Sequence, residues 1–344
     1  MKGRSVHLDR IGDRLAAAML LDGHLDDLLI EDPAGIPGPG AIYRAVVDRP
    51  IKGQGGALMR LPDGTGFLKR AKGLAPGDTL MVQVTGYAEP GKAVPVTADP
   101  LFKSRHAIVT PDRPGYNVSR QIRDDDRRDA LLAVAHETVG PPGDLGLILR
   151  SSSEMADDDE IAADILAMLD LAKQVTGDTG TGPELLVEAP DPHMRAWRDW
   201  STPDAIFAEE GNFAAHGILD RIEALRDPRV DLAAGAWIAV EPTHALIAVD
   251  VNTGGDLTLA AGLKANIAAA RALPAQLRCR GLGGQITIDM APSPKKDRRT
   301  IEQVLTAAFR HDPIETTLAG WTPLGAFELQ RKRERRPLDL PPTG

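Results

Sequence analysis

The stretches IAVDVNTG (Ile247–Gly254) and GGQITID (Gly283–Asp289) decide the fold of the C-terminal half. Each is a short apolar run that closes on an acidic residue, so each reads as a strand buried on at least one face. Side chains alternate along a strand, which puts Asp250 and Asn252 on the same side. If the two strands are neighbours, Asp250 and Asp289 fall within reach of one ion. Two hard carboxylates with an amide oxygen suit magnesium, which keeps several waters and recruits phosphate oxygens. Turn chemistry is the competing reading, since Asp at a strand end often caps the turn that follows.

Outward from this pair, strand and helix alternate. Ala236–Val240, Ala245–Val251, Gln285–Met290 and Gly325–Leu329 read as strands, with helices over Gly262–Leu277 and Thr300–Phe309. Upstream, helices are expected at Arg123–Glu137 and Asp157–Lys173, with a buried strand, Leu145–Leu149, between them. The connector GDTGTG (Gly177–Gly182) lacks the Gly-Lys-Ser/Thr ending of a phosphate loop and reads as a flexible linker. Further forward, Ala41–Val47, Ala57–Leu61, Gly66–Leu68, Thr79–Tyr87 and Ala93–Thr97 are short strands punctuated by Gly, Pro and Asp. Five such strands suit a small OB-type barrel, a fold that commonly binds oligonucleotides. Leu15–Leu21, behind an interrupted basic segment, reads as an amphipathic strand leading into a helix rather than a secretion signal.

A length of 344 residues implies roughly two or three domains at about 100–200 residues each. The single cysteine, Cys279, excludes an internal disulfide framework and a Cys-rich zinc site. No run reaches the ~18 apolar residues of a membrane span, so no membrane partner is expected and the location reads as cytoplasmic. The net charge of −9 argues at face value against a polyanionic partner. Its distribution reverses that. Residues 151–245 hold 6 Lys/Arg against 20 Asp/Glu, a local −14, so the rest of the chain is net +5.

The strings around the two Asp residues closely resemble the catalytic signature of the bacterial ribonuclease E/G family. The matching segments are Glu241–Gly254 and Gln276–Asp289, with Asn266 at the corresponding place before the second. Leu324–Arg333 resembles that family's closing strand and basic run. Tyr43–Val84, including Gly66-Phe67-Leu68, resembles its OB-fold RNA-binding domain. Arg113–Ile122, followed by Leu147–Ser151, resembles its 5′-end sensor.

The resemblance implies an α+β multidomain chain. Its segments would be 1–37 and 183–240 as two parts of an RNase H-like subdomain, and 38–103 as the inserted OB-fold domain. Residues 104–182 would form a 5′-sensor region, and 241–344 a DNase I-like α/β catalytic subdomain. It also implies a Mg²⁺-dependent endoribonuclease that cleaves single-stranded RNA to 5′-phosphate and 3′-hydroxyl ends in RNA processing or decay. Asp250 and Asp289 would hold the Mg²⁺, with Asn252 orienting the scissile phosphate or its water. Arg150 and Ser151 would read a 5′-monophosphate that stimulates cleavage. Phe67 would stack on a base, with Lys92, Arg120 and Lys69 on phosphates. Phe67 as a barrel-core aromatic, and Arg150 paired with the acidic stretch Glu154–Glu160, are the competing readings. The run RKRERR (Arg331–Arg336) reads as a backbone-binding strip or a solvated face.

Three departures stand against the pattern. Gly255 and Asp256 replace the basic residues that usually follow the Asp-x-Asn string. The family's zinc-sharing cysteine pair has no counterpart, so no zinc is expected and the implied homodimer would lack its zinc link. A sensor glycine falls at Lys103 or Ser104. The alternative to an active nuclease is therefore a catalytically weak or inactive RNA-binding relative. A metal phosphatase acting on small substrates would leave the barrel and sensor similarity to coincidence.

Overall fold

The computed structural model describes residues 2–339 apart from positions 52, 54, 90, 112 and 257. The chain divides into two compact units, Met1–Glu31 with Pro203–Gly344, and Asp32–Thr202. The first begins as a meander of β1 (Arg4–Ile11), β2 (Arg14–Leu21) and β3 (His24–Ile30). β2 is where the sequence suggested a strand running into a helix. It is strand throughout, paired along its whole length with β1 and over Ala16–Leu21 with β3. Two paired neighbours satisfy every backbone donor and acceptor that a helix would otherwise claim, so the Ala-rich centre yields to tertiary context.

The second unit opens with β4 (Ile42–Ile51), β5 (Gly56–Leu61), β6 (Gly64–Leu68), β7 (Thr79–Val84) and β8 (Val94–Thr97). They hydrogen-bond in the order β4-β5-β6-β8-β7, and β4 also pairs with β7, closing an OB-like barrel. Alternate residues fill it: Tyr43, Ala45, Val47, Ala57, Met59, Leu61, Val82, Val84 and Val96 form one buried cluster. Next come β9 (Phe102–Lys103), β10 (Ala107–Thr110), β11 (Gly115–Val118), α1 (Asp125–Val139), β12 (Gly146–Leu149) and α2 (Asp158–Thr176). The strands form a sheet in the order β11-β12-β10-β9, and Leu131, Val134, Ile161, Ile165 and Leu169 of the helices share its core.

β13 (Glu184–Val187) then adds to β4 on the barrel sheet, and α3 (Pro192–Asp199) ends the unit. The GDTGTG connector is anchored, not loose. The Arg44 guanidinium, buried in β4, bonds to Asp178 and Glu184 at 2.8 Å each, and a Cβ on Gly180 would lie 2.3 Å from it. A side chain at position 180 would therefore require the Arg44 guanidinium to shift.

On return to the first unit, β14 (Ala205–Phe207) pairs in parallel with β1, and α4 (Asn212–Ala215) and α5 (Ile218–Ala224) follow. The remaining strands are β15 (Arg229–Asp231), β16 (Trp237–Pro242) and β17 (Ile247–Asn252), then β18 (Gly284–Asp289), β19 (Thr316–Trp321) and β20 (Phe327–Arg331). The helices among them are α6 (Leu259–Cys279) and α7 (Arg298–Arg310). This six-stranded sheet has the order β15-β16-β17-β18-β20-β19. One face is buried: Ile238, Val240, Val249, Val251, Ile286, Ile288 and Leu329 form a core with Ala269, Leu273 and Leu277 of α6 and Ile301 and Leu305 of α7. Among the described residues no helix is long and apolar enough to cross a membrane.

Candidate functional site

Because both helices cover one face, the alternate residues of β17 and β18 are left on the other. Ala248, Asp250 and Asn252 share that face with Gln285, Thr287 and Asp289, and none of the six is buried. β17 and β18 run parallel, joined by α6, with Asp250 directly opposite Asp289. Adjacent strands lie about 4.8 Å apart, so two carboxylates stand side by side. Asn252 Nδ2 donates to Asp250 Oδ2 at 2.8 Å. Neither carboxylate has an ion-pair partner among the described residues.

The loop after Asp289 is held from behind. Asn266, fully buried on α6, donates from Nδ2 to the Ala291 carbonyl and accepts the Ala291 N–H at Oδ1, both at 2.9 Å. One turn earlier, a Cβ on Gly262 would sit 2.0 Å from the Pro292 carbonyl oxygen. The side-chain amide thus replaces a missing strand partner for Ala291, and a glycine permits the helix to come that close. Asp256 marks the turn into α6: its Oδ1 accepts the Thr258 N–H at 2.9 Å, and that bond holds its carboxyl below the usual range.

In the barrel, Phe67 pairs across to Leu58 and Pro95, and all three are half-buried on the outer side of the wall. Its ring lies against Gly56, where a Cβ would be 2.7 Å from Cε2. The inward neighbours are Gly66 and Leu68, so Phe67 is not a barrel-core aromatic. Lys92 is exposed and pairs with Glu89 at 2.7 Å, while Lys69 and Arg120 are exposed.

Arg150, just after β12, has its guanidinium engaged by the chain itself. Nη1 donates to the carbonyls of Ser104, Arg105 and Arg198, and Nη2 lies 3.0 Å from Asp199. Its acidic partner is therefore Asp199 at the end of α3, not the stretch Glu154–Glu160. Ser151 is exposed, and Ser153 behind it bonds the His106 carbonyl at 3.0 Å. Lys103, Arg198 and Asp199 were missed as a cluster by sequence reasoning. Nothing in the string Trp-Arg-Asp at 197–199 signals that it meets β9 and β12.

The run Arg331–Arg336 is not a uniformly solvated strip, since Arg331 and Arg335 turn inward to acids. Arg331 is buried against Asp312 at 3.0 Å, Lys332 pairs with Glu315 at 2.5 Å, and Arg335 pairs with Asp27 at 3.0 Å. Among the described residues no cluster of three or more His, Cys, Asp or Glu side chains is arranged to hold a metal.

A model of the Ribonuclease E/G family matches residues 102–209 and 205–334. The chain is 28% identical over 378 aligned positions to a Ribonuclease E of a Nostoc species, covering 92% of this chain and 54% of that protein. It is 27% identical to a Ribonuclease G of Haemophilus influenzae and 26% identical to one of Escherichia coli, in each case over 76% of this chain and 61% of the relative. The chain thus spans between half and two thirds of the length of these relatives. With two thirds of its residues matched and the paired Asp strands within the matched region, the chain belongs to the ribonuclease E/G family.

Proposed function

We propose that this chain is a magnesium-dependent endoribonuclease that cleaves single-stranded RNA to 5′-phosphate and 3′-hydroxyl ends in RNA processing or decay, with a cytoplasmic site of action. One observation carries the reading: two exposed carboxylates stand opposite each other in register, with no cation paired to either among the described residues. Like charges at that spacing repel, and a divalent ion between them removes the repulsion. Magnesium needs only one or two protein carboxylates and completes its shell with water and phosphate oxygens, so a two-acid site suits it.

Asp250 and Asp289 are the residues that would hold the ion. When bound there, magnesium would polarise a phosphoryl oxygen and acidify a coordinated water. Asn252 uses one amide proton to fix the rotamer of Asp250, which leaves its carbonyl oxygen and second N–H to orient water or the scissile phosphate. Asn266 acts through the backbone of Ala291 and keeps the end of β18 in place. On the barrel, Phe67 offers a partly exposed ring to an unpaired base, and Lys92 and Arg120 lie in exposed positions suited to phosphate contact. Single-stranded RNA fits such a surface because its bases can splay onto an aromatic ring. The subdomain assignments follow the same reading: 1–37 with 183–240 as RNase H-like, 38–103 as the OB-fold, 104–182 as the sensor region and 241–344 as DNase I-like, whose last five residues lie outside the described residues.

A second reading, an RNA-binding relative with little or no cleavage, is favoured by Asp256, which puts a negative charge a few residues beyond Asn252. End-labelled AU-rich RNA separates the two. Internal cleavage that requires Mg²⁺ and disappears in Asp250→Asn and in Asp289→Asn supports the nuclease. Binding without cleavage under any divalent metal leaves only the second reading.

A further inference from the structure

An aromatic ring stands on the open face of the sheet that carries Asp250 and Asp289. β16 pairs antiparallel with β17 in a register that sets Trp237 opposite Asn252 and Ala239 opposite Asp250. Ile238 and Val240 of β16 fill the core, so the alternate residues Trp237 and Ala239 share the face of the two acids. β15 continues both rows, with Asp231 opposite Trp237 and Arg229 opposite Ala239, both exposed. Arg229, Ala239, Asp250 and Asp289 therefore form one line across four strands, and Asp231, Trp237 and Asn252 form the next. Trp237 is the diagonal neighbour of Asp250, about 7–8 Å away by sheet geometry.

The ring is half-buried and held in place. The Arg229 guanidinium lies over it, 4.6 Å from the ring centroid, and Arg229 Nε donates to Asp231 Oδ1 at 2.9 Å. The turn that leads into Trp237 has two successive left-handed residues, Ala234 at φ +59° and Gly235 at φ +77°. Residues with a Cβ rarely adopt that conformation unless their surroundings impose it. Here the loop after Asn252 presses on the turn: a Cβ on Gly254 would sit 2.3 Å from the Gly235 carbonyl oxygen. The backbone that follows Asn252 is thus clamped to the backbone that precedes Trp237, and both side chains project from one corner of the sheet.

Every base has a π-face, so a fixed ring beside a phosphate site can take any unpaired base, and a cation on the ring favours a polyanion. We propose that Trp237 is a stacking platform for the unpaired base next to the scissile phosphate, with Arg229 backing the ring. The proposal rests on the reading of Asp250 and Asp289 as the magnesium ligands of a nuclease. It gives that site a requirement the carboxylates alone lack, a base free to leave its neighbours. A duplex, whose bases stay stacked and paired, cannot meet it.

The test begins in EDTA, where no cleavage occurs, with a short end-labelled AU-rich RNA. Trp237→Ala is expected to bind it at least about fivefold more weakly, the loss of one base–aromatic stack, and Trp237→Phe to recover most of the affinity. An oligomer of the same length and charge, with hydrogen in place of every base, should bind the unmodified chain and Trp237→Ala equally. With iodouridine in place of uridine, irradiation should join the RNA to Trp237 of the unmodified chain, read by peptide mass spectrometry. In Mg²⁺, removing one of the two bases that flank the mapped cut should slow the unmodified chain and leave the slower rate of Trp237→Ala unchanged.

Unchanged affinity in Trp237→Ala overturns the proposal. So does an equal loss on the base-free oligomer, which would make Trp237 a packing residue of the sheet. Trp237→Leu is the second variant should the first not fold. If neither folds, the crosslink decides, and no adduct at Trp237 overturns the proposal. A base-dependent loss of affinity in a chain whose cleavage ignores both flanking bases would place the platform away from the cut and overturn the assignment. A chain that never cleaves in Mg²⁺ but gives the EDTA pattern fails the nuclease reading and keeps the platform beside Asn252.

Discussion

Asp256 is exposed in the turn between β17 and α6, with its carboxyl held below the usual range, so its negative charge follows Asn252 in the chain at the proposed site of RNA approach. Asp256→Asn keeps an oxygen acceptor for the Thr258 N–H while removing the charge. It should raise RNA affinity several-fold at low ionic strength, with the gain vanishing as the Debye length shrinks to ~3 Å near 1 M salt. Binding isotherms across a salt series check this, and a gain independent of salt would refute the electrostatic account. Asp199 makes a prediction in pH instead. Its folded-state pKa is depressed below the unfolded value of about 3.9, so its contribution is complete above that pH and is lost as pH falls toward the folded value. The unmodified chain should therefore lose stability below about pH 4 more steeply than Asp199→Asn. Urea midpoints measured at stepped acidic pH provide the comparison.

Among the elements, α6 does two things: it supplies the apolar wall for β17 and β18, and through Gly262 and Asn266 it fixes the loop leaving Asp289. Asn266→Ala strands a buried N–H and a buried carbonyl on Ala291, at about 1–3 kcal/mol for each group left unpaired. Because Asn266 works on the end of the strand that carries the proposed ligand Asp289, the Mg²⁺ concentration for half-maximal cleavage should also rise, by about 10–100-fold as for other supporting residues of metal sites. Loss of stability with an unchanged Mg²⁺ requirement would make Asn266 a purely structural residue. The strands β17 and β18 were legible because one-sided burial writes a period of two into sequence, and α6 because twenty-one helical residues outlast any local ambiguity. The three-residue strands β14 and β15 were not, since their identity lies in the partners they pair with rather than in their own side chains. Arg150 was legible as a candidate, whereas its occupation by Asp199 was not, because that contact joins positions 49 residues apart.

At the level of the whole molecule, the first unit is a chain that starts in one sheet and finishes in another, and buried charge ties its beginning to its end. Arg278 pairs with Asp26 at 2.9 Å and with Asp312 at 2.5 Å, Asp312 pairs with Arg331, and Arg335 reaches back to Asp27. Two cations of the basic run, Arg331 and Arg335, are thus spent on holding Asp312 and Asp27. Cys279, enclosed beside the same acids, has its thiol pushed far up by burial and is expected to resist alkylation until the unit unfolds. Asp312 is the centre of the network, with no exposed side-chain surface, and its removal leaves Arg331 and Arg278 short of counter-charge in the interior. Asp312→Ala should therefore cost about 3–5 kcal/mol in urea unfolding, as for other buried pairs broken from one side. The network is not fully satisfied even when intact, since Arg331 Nε and Arg335 Nη1 are buried without a hydrogen-bond partner. Taking out both charges together, in Asp312→Leu with Arg331→Met, should accordingly restore part of the loss. If the double variant is less stable than Asp312→Ala alone, the pair contributes net stability of its own rather than merely avoiding an unpaired charge.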